Sequence, residues 1–265
     1  MMDGIEISLV GAVWMKDEQW SYARYKGALL EEQLGAINGL YDPQRIWEIP
    51  DALQKKVDLD GSLLPFFGDT TVFELSSQQV AEVGELIDLL EPISENLATP
   101  LDRQQLHMTL HDLNNSSSPE EIATPIAKSK HQVIIIMKLL KEYLKDNPDH
   151  RYINMVSTRA YPSSNIAVLL GLIPKSELDF QLLIKLYNIF DSAVYLDYWL
   201  RPHITLAYFK PRELRQVEIA GLRSCLDQIN QREVEIKLDI LELAYQHFDH
   251  MNQYQTKFCP RTLTE

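Results

Sequence analysis

Two short segments place an imidazole two residues ahead of a threonine hydroxyl: His107-Met108-Thr109 and His203-Ile204-Thr205. In an extended strand, side chains at i and i+2 share a face, so each segment would present a histidine beside a hydroxyl. Two such strands facing one cleft would gather four polar groups. Because imidazole titrates near pH 6.5, one ring can accept a proton while the other donates one. Threonine hydroxyls can donate to phosphoryl oxygens and stabilise charge that develops there. The constellation suits cleavage of a phosphodiester, and neither histidine needs a metal for it.

Other chemistries compete for the same residues. His107 and His111 are four apart, a spacing that would share a face on a helix as in a zinc site. Strand context and the absence of a glutamate beside His107 argue against zinc, and His111 reads as a polar residue at a loop end. His247, His250 and Cys259 form a second loose cluster whose spacing diagnoses no metal; surface or strand-edge positions are the simpler reading. Cys225 falls on an apolar helical face and reads as core. Arg201, Lys210 and Arg212 bracket the second motif and could hold a phosphate, or could be solvated surface charges. Tyr161, Trp199, Tyr208 and Phe209 could stack on a base, with core packing as the competing role. A non-catalytic protein could grip a phosphorylated ligand in the same cleft. A purely structural pair of buried histidines would have to arise twice with the same threonine neighbour.

The elements that must position the motifs follow from periodicity and turn residues. Residues 1–68 differ from the rest, with a helical stretch near Ser21 to Ile37 and then segments punctuated by Pro43, Pro50, Gly61, Pro65 and Gly68; they are expected to be an appended region. A strand at Thr70 to Leu75 precedes a helix that ends at Pro92. The first motif strand, Leu106 to Leu110, should break at Asn114 to Pro119. A helix carrying Val133, Ile136, Met137, Leu140 and Leu144 stops near Pro148. Tyr152 to Tyr161 and Asn165 to Ile173 read as a hairpin, followed by a helix capped by Ser176. The second motif strand is His203 to Phe209. Pro211 should open a helix running to Asn230, Val234 to Ile240 alternate as a half-buried strand, and Gln253 to Phe258 close the fold.

The motif strands, Leu106-His107-Met108-Thr109-Leu110 and Pro202-His203-Ile204-Thr205-Leu206, resemble the paired signatures of the 2H phosphoesterase superfamily over about Asp69 to Phe258. The segment from Asp60-Gly61 to Thr70 is also similar to the entry into the first core strand of some bacterial members. The resemblance implies an α+β, bilobal, pseudo-symmetric domain at 69–260, with two antiparallel sheets flanking a central cleft and helices outside. It implies a cofactor-free, metal-independent phosphodiesterase of the bacterial RNA 2′,3′-cyclic phosphodiesterase and 2′-5′ RNA ligase-like type. Carried over by motif position, His203 would be the base that activates water and His107 the acid that protonates the leaving ribose oxygen. Thr109 and Thr205 would bind the phosphate, and the roles of the histidines would exchange in the ring-forming direction. Arg201, Tyr208, Lys210 and Tyr161 are the further candidates for substrate contact.

Composition narrows the ligand. With 25 Lys+Arg against 38 Asp+Glu, a net charge of −13 opposes duplex nucleic acid, whereas a small nucleotide or one RNA terminus with a cyclic phosphate remains compatible. Two cysteines in 265 residues argue for a reducing compartment. The run Ile5 to Trp14 contains Glu6 and lacks a basic flank, and no stretch approaches the ~18 apolar residues of a membrane span. The expectation is a soluble, unprocessed, cytoplasmic monomer without a membrane partner.

Overall fold

A computed structural model describes residues 20–264; the Ile5 to Trp14 run lies outside them. Eight strands form one antiparallel sheet among these residues: β1 (Phe67–Glu74), β2 (His107–Ser116), β3 (Tyr152–Ser163), β4 (Ala167–Pro174), β5 (His203–Tyr208), β6 (Glu235–Asp239), β7 (Ala244–His250) and β8 (Gln253–Phe258), in the order β6-β3-β4-β5-β2-β1-β7-β8. The helices are α1 (Tyr22–Asn38), the short α2 (Asp51–Gln54), α3 (Ser77–Asp88), α4 (Pro119–Asp146), α5 (Glu177–Phe190) and α6 (Gln216–Ile229).

Where two sheets are expected, the strands join into one. The join is narrow: β2 and β5 share one register pair, Met108 opposite Ile204, the central residues of the two motifs. Both side chains are fully buried. Four strands therefore lie on each side of a seam that runs between the motifs. Beside the seam, every residue of β4 is buried, as its continuous apolar run Ala167-Val168-Leu169-Leu170 requires of a strand covered on both faces.

Local sequence explains most boundaries. Ser21 caps α1, Ser76 and Gln79 form a reciprocal capping box on α3, and the Ser176 hydroxyl accepts from the Asp179 N–H to start α5. Three boundaries differ from expectation. Helix α6 starts after Arg215 rather than at Pro211, because the Glu218 carboxylate reaches back to the Arg215 N–H. Helix α4 starts at Pro119, well ahead of its apolar stripe, with Glu120 and Glu121 in its first turn. Strand β2 runs on through Asn114 and Asn115 to Ser116.

A buried carboxylate holds that extension. Asp69 on β1 is fully buried and accepts from the Asn114 N–H at 3.0 Å, the Asn114 side-chain amide at 2.8 Å, the Ser129 hydroxyl on α4 and the Tyr245 hydroxyl on β7 at 2.8 Å. One side chain thus ties three strands and a helix together. Burial and the neighbouring Asp69 keep Tyr245 protonated far above the ordinary phenol range.

Residues 20–66 pack on this sheet. Tyr25 and Leu29 of α1 are buried with Ile173 and Phe180, and the Tyr25 hydroxyl donates to the Leu200 carbonyl at 2.9 Å. On the same helix, Gln33 accepts from the Thr158 hydroxyl of β3 at 2.8 Å.

Candidate active site

The two motifs lie side by side at the seam. With Met108 and Ile204 turned into the core, His107, Thr109, His203 and Thr205 all line a cleft of about 1280 Å³ on the opposite face. Both histidines are anchored in the same way. His107 Nδ1 lies 2.6 Å from the carbonyl of Gln105, and His203 Nδ1 lies 2.7 Å from the carbonyl of Arg201, each acceptor two residues upstream. A carbonyl cannot donate, so each Nδ1 carries its proton. In the neutral ring this leaves Nε2 with a bare lone pair. No described side chain or backbone group is hydrogen-bonded to either Nε2, or to the hydroxyls of Thr109 and Thr205.

Both motif strands carry an irregularity at the leucine that follows the threonine. On β2, Thr109 pairs with Val72 and His111 with Thr71, leaving Leu110 as an extra residue. On β5, Thr205 pairs with Leu169 and Ala207 with Val168, leaving Leu206 as the extra residue. A bulge shifts the alternation by one position. Asp112 and Tyr208 therefore join the cleft wall three residues after each threonine, and a second bulge at Leu113 brings Asn115 there too. His111 turns into the core instead, where Nε2 lies 3.0 Å from Asp191. It is neither a loop-end residue nor on the same side as His107, and the spacing that suggested zinc does not bring the two rings to one site.

Electrostatics differ between the two histidines. Burial is the largest influence on both and lowers both below the ordinary imidazole value. For His107 the Gln105 carbonyl opposes burial, His203 adds to it, and the Asp112 and Glu74 carboxylates oppose it. For His203 the Arg201 carbonyl and Asp112 oppose burial, while the Lys56 and Arg201 cations add to it. Asp112 thus favours the charged form of both rings, Glu74 adds to this at His107, and the Lys56 and Arg201 cations oppose it at His203. The edge of Tyr254 packs against the His107 ring with centroids 4.7 Å apart, and Tyr198 donates to Asp112 at 3.1 Å.

The other expected contact residues divide. Arg201 and Tyr208 line the cleft, as does Trp199. The Arg201 guanidinium is paired with Glu32 of α1 at 2.7 Å and lies over the Trp199 ring, and the Tyr208 hydroxyl faces the Met251 sulfur. Lys210 and Tyr161 are not among the lining residues. Lys210 packs against Gly61, and Tyr161 is buried, its hydroxyl pushed up to about 12 by that burial. Arg212 is held by Glu218 and Asn96, and Phe209 is core beside Trp47. His247 bonds Tyr245, His250 accepts from the Asn252 N–H, and Cys259 is buried near Thr262. Among the described residues, no group of three or more His, Cys, Asp and Glu side chains could hold a metal ion. Lys56, Asp112, Tyr198 and Tyr254 are among the cleft residues that sequence reasoning did not single out.

Comparison with solved structures finds the same fold elsewhere. A conserved protein of unknown function from Agrobacterium tumefaciens superposes with a TM-score of 0.59 at 18% identity, over 80% of this chain and 94% of that one. The two share a fold. LigT from E. coli in its apo form is more distant, with a TM-score of 0.37 and 14% identity over 72% of this chain and 94% of its own. No family model matches the chain, and no curated protein matches it. No helix among the described residues is long and apolar enough to cross a membrane.

Proposed function

We propose that the protein is a phosphodiesterase of the 2H type that hydrolyses a 2′,3′-cyclic phosphate, or a related phosphodiester at a nucleotide or RNA end, without a metal. One observation carries the reading: two identically anchored histidines, each with Nε2 open and a threonine hydroxyl beside it, share one cleft across the Met108–Ile204 seam. That arrangement supplies an acid, a base and two phosphoryl donors around a single ligand position.

In the hydrolytic direction, Nε2 of His203 takes a proton from water as its oxygen attacks phosphorus. The bond from phosphorus to one ribose oxygen breaks, and that oxygen receives the proton carried on Nε2 of His107. The product is a ribose phosphomonoester with a free neighbouring hydroxyl. The assignment of base and acid follows the motif positions; Lys56 and Arg201 favour a neutral His203 and Glu74 a charged His107, while Asp112 favours the charged form of both. Thr109 and Thr205 donate to the non-bridging oxygens. Reversing every step would close the ring with loss of water, whereas a nucleoside 5′-hydroxyl attacking the cyclic phosphate in place of water would form a 2′-5′ linkage and free the 3′-hydroxyl.

The cleft is larger than the roughly 300–1,000 Å³ of ordinary small-ligand pockets, so it has room for a nucleotide and an adjoining residue. Its wall mixes Lys55, Lys56 and Arg201 with Asp51, Asp102, Asp112 and Glu121. Such a wall favours a small cyclic phosphate or a single terminus over a long polyanion. A monomer in a reducing cytoplasm completes the reading, with Cys225 and Cys259 both free. The test is turnover of 2′,3′-cyclic nucleotides, with product position determined, by wild type, His107→Ala and His203→Ala in the presence of a chelator. Each variant should lose about 10²–10⁴-fold. Undiminished turnover in either variant would sink the proposal, and phosphate binding without any turnover by wild type would favour a binding protein.

A further inference from the structure

The appended region contributes one side chain to the cleft whose environment calls for an anion. Lys56 follows α2 and begins a tight excursion of the chain. Its carbonyl accepts from the Leu64 N–H at 2.9 Å, Val57 bridges to Leu63, and the Asp58 N–H donates to the Ser62 carbonyl at 2.8 Å. The excursion is tied to the body of the protein at three points. Leu53 and Val57 are buried, the Gly61 carbonyl accepts from both the N–H and the hydroxyl of Thr99, and the Phe66 N–H donates to the Asp249 carbonyl. Gly61 adopts φ +95, a conformation that favours glycine, so the turn is defined by its sequence.

So fixed, the Lys56 ammonium lies 5.1 Å from the ring centre of Phe66 and 5.8 Å from that of Tyr208, both of which line the cleft. Two aromatic faces hold a cation in place without neutralising it. No carboxylate pairs with Lys56 among the described residues, although the chain carries a net charge of −13. Arg201, by contrast, is paired with Glu32. Lys56 is thus an ordered, half-buried cation kept apart from the protein's own anions and facing the space that both histidines line.

We infer that Lys56 anchors the phosphoryl group of the ligand, so that the segment ahead of β1 completes the site. The inference deepens the proposed function and rests on it for the identity of the phosphorylated ligand. An ammonium at this position offsets the negative charge of the non-bridging oxygens and orients them towards the two threonines.

The experiment measures binding of inorganic phosphate, and then of 2′- and 3′-AMP, by calorimetry to the full chain as wild type, Lys56→Met, Lys56→Gln and Lys56→Arg. Methionine keeps the packing on Phe66 and Tyr208, and thermal unfolding checks each variant. Loss of the charge should weaken phosphate binding by about tenfold to a hundredfold, with much of it restored in Lys56→Arg. In parallel, any turnover should fall through both KM and kcat. Wild-type protein that binds no phosphate, or folded neutral variants that bind it as wild type does, would overturn the inference. If binding depends on Lys56 but no cyclic phosphate is hydrolysed, the anchor stands and the hydrolase reading fails.

Discussion

Met108 and Ile204 face each other across the middle of the sheet and form the one register pair between the two strands that carry the candidate catalytic groups. Because each occupies the central position of its motif, fixing this pair fixes the relative placement of His107, Thr109, His203 and Thr205 on the other face. The apolar contact that builds the core therefore also sets the geometry of the cleft.

That coupling is measurable. Met108→Ala and Ile204→Ala should each destabilise the protein by about 2–5 kcal/mol, since both side chains are fully buried. As the two residues touch, the double variant should deviate from additivity by roughly 0.5–3 kcal/mol. Urea unfolding of the four proteins in the cycle gives both quantities. Strict additivity would show that the seam is not a cooperative contact.

The threonines should behave differently from the core pair. Their hydroxyls have no protein partner among the described residues, so Thr109→Val and Thr205→Val should leave the unfolding midpoint close to wild type. Turnover should fall by about 10–10³-fold as donors to the phosphoryl oxygens are lost. A large loss of stability with unchanged activity would reverse their assignment.

The pH profile follows from the histidine environments. Burial lowers both rings below 6.5, so the protonated form of the proposed acid is lost as the pH rises towards that value. The profile of kcat/KM should be bell-shaped with its maximum on the acid side of 6.5. Asp112 favours the charged form of both rings, and Asp112→Asn should move the whole bell to still lower pH. An optimum above pH 7.5 would contradict the acid–base pair.

Stability should depend heavily on one carboxylate outside the cleft. Asp69→Ala removes the acceptor shared by Asn114, Ser129 and Tyr245 and leaves buried donors unsatisfied. A loss of roughly 3 kcal/mol or more is expected in urea unfolding, on the scale of buried hydrogen bonds to charged groups. Asp69→Asn should recover part of it.

Much of the site was legible because the motif chemistry is local: an imidazole and a hydroxyl two apart on a strand need no tertiary information to be recognised. The elements with clean periodicity, such as β6 and α5, and the continuous apolar run of β4 were legible for the same reason. Strand β7 was not, because Ala-Tyr-Gln-His-Phe-Asp-His mixes polar and aromatic residues, and the amide N–H of its buried Gln246 finds acceptors only in Glu74 and Thr256 from neighbouring strands. The extension of β2 through Asn114 was hidden in residues that normally mark turns and becomes intelligible only with Asp69 beneath it. Lys56 carries no local signal at all, since its role depends on Phe66 and Tyr208 meeting around it.

The extra leucine after each threonine has a consequence for how the protein can vary. Leu110 and Leu206 act like a shift of reading frame within their strands, deciding which of the following residues belong to the cleft and which to the core. Deleting Leu110 would leave His111 opposite Thr71 in the core and Asp112 on the cleft wall, whereas drawing Leu110 into the regular ladder would send His111 towards the cleft and Asp112 into the apolar interior. Substitutions downstream of the motifs change one side chain at a time, whereas a shift of the ladder by a single residue there rewrites the whole wall. Loss of the extra leucine should therefore be better tolerated beside the motifs than a slip that pairs it.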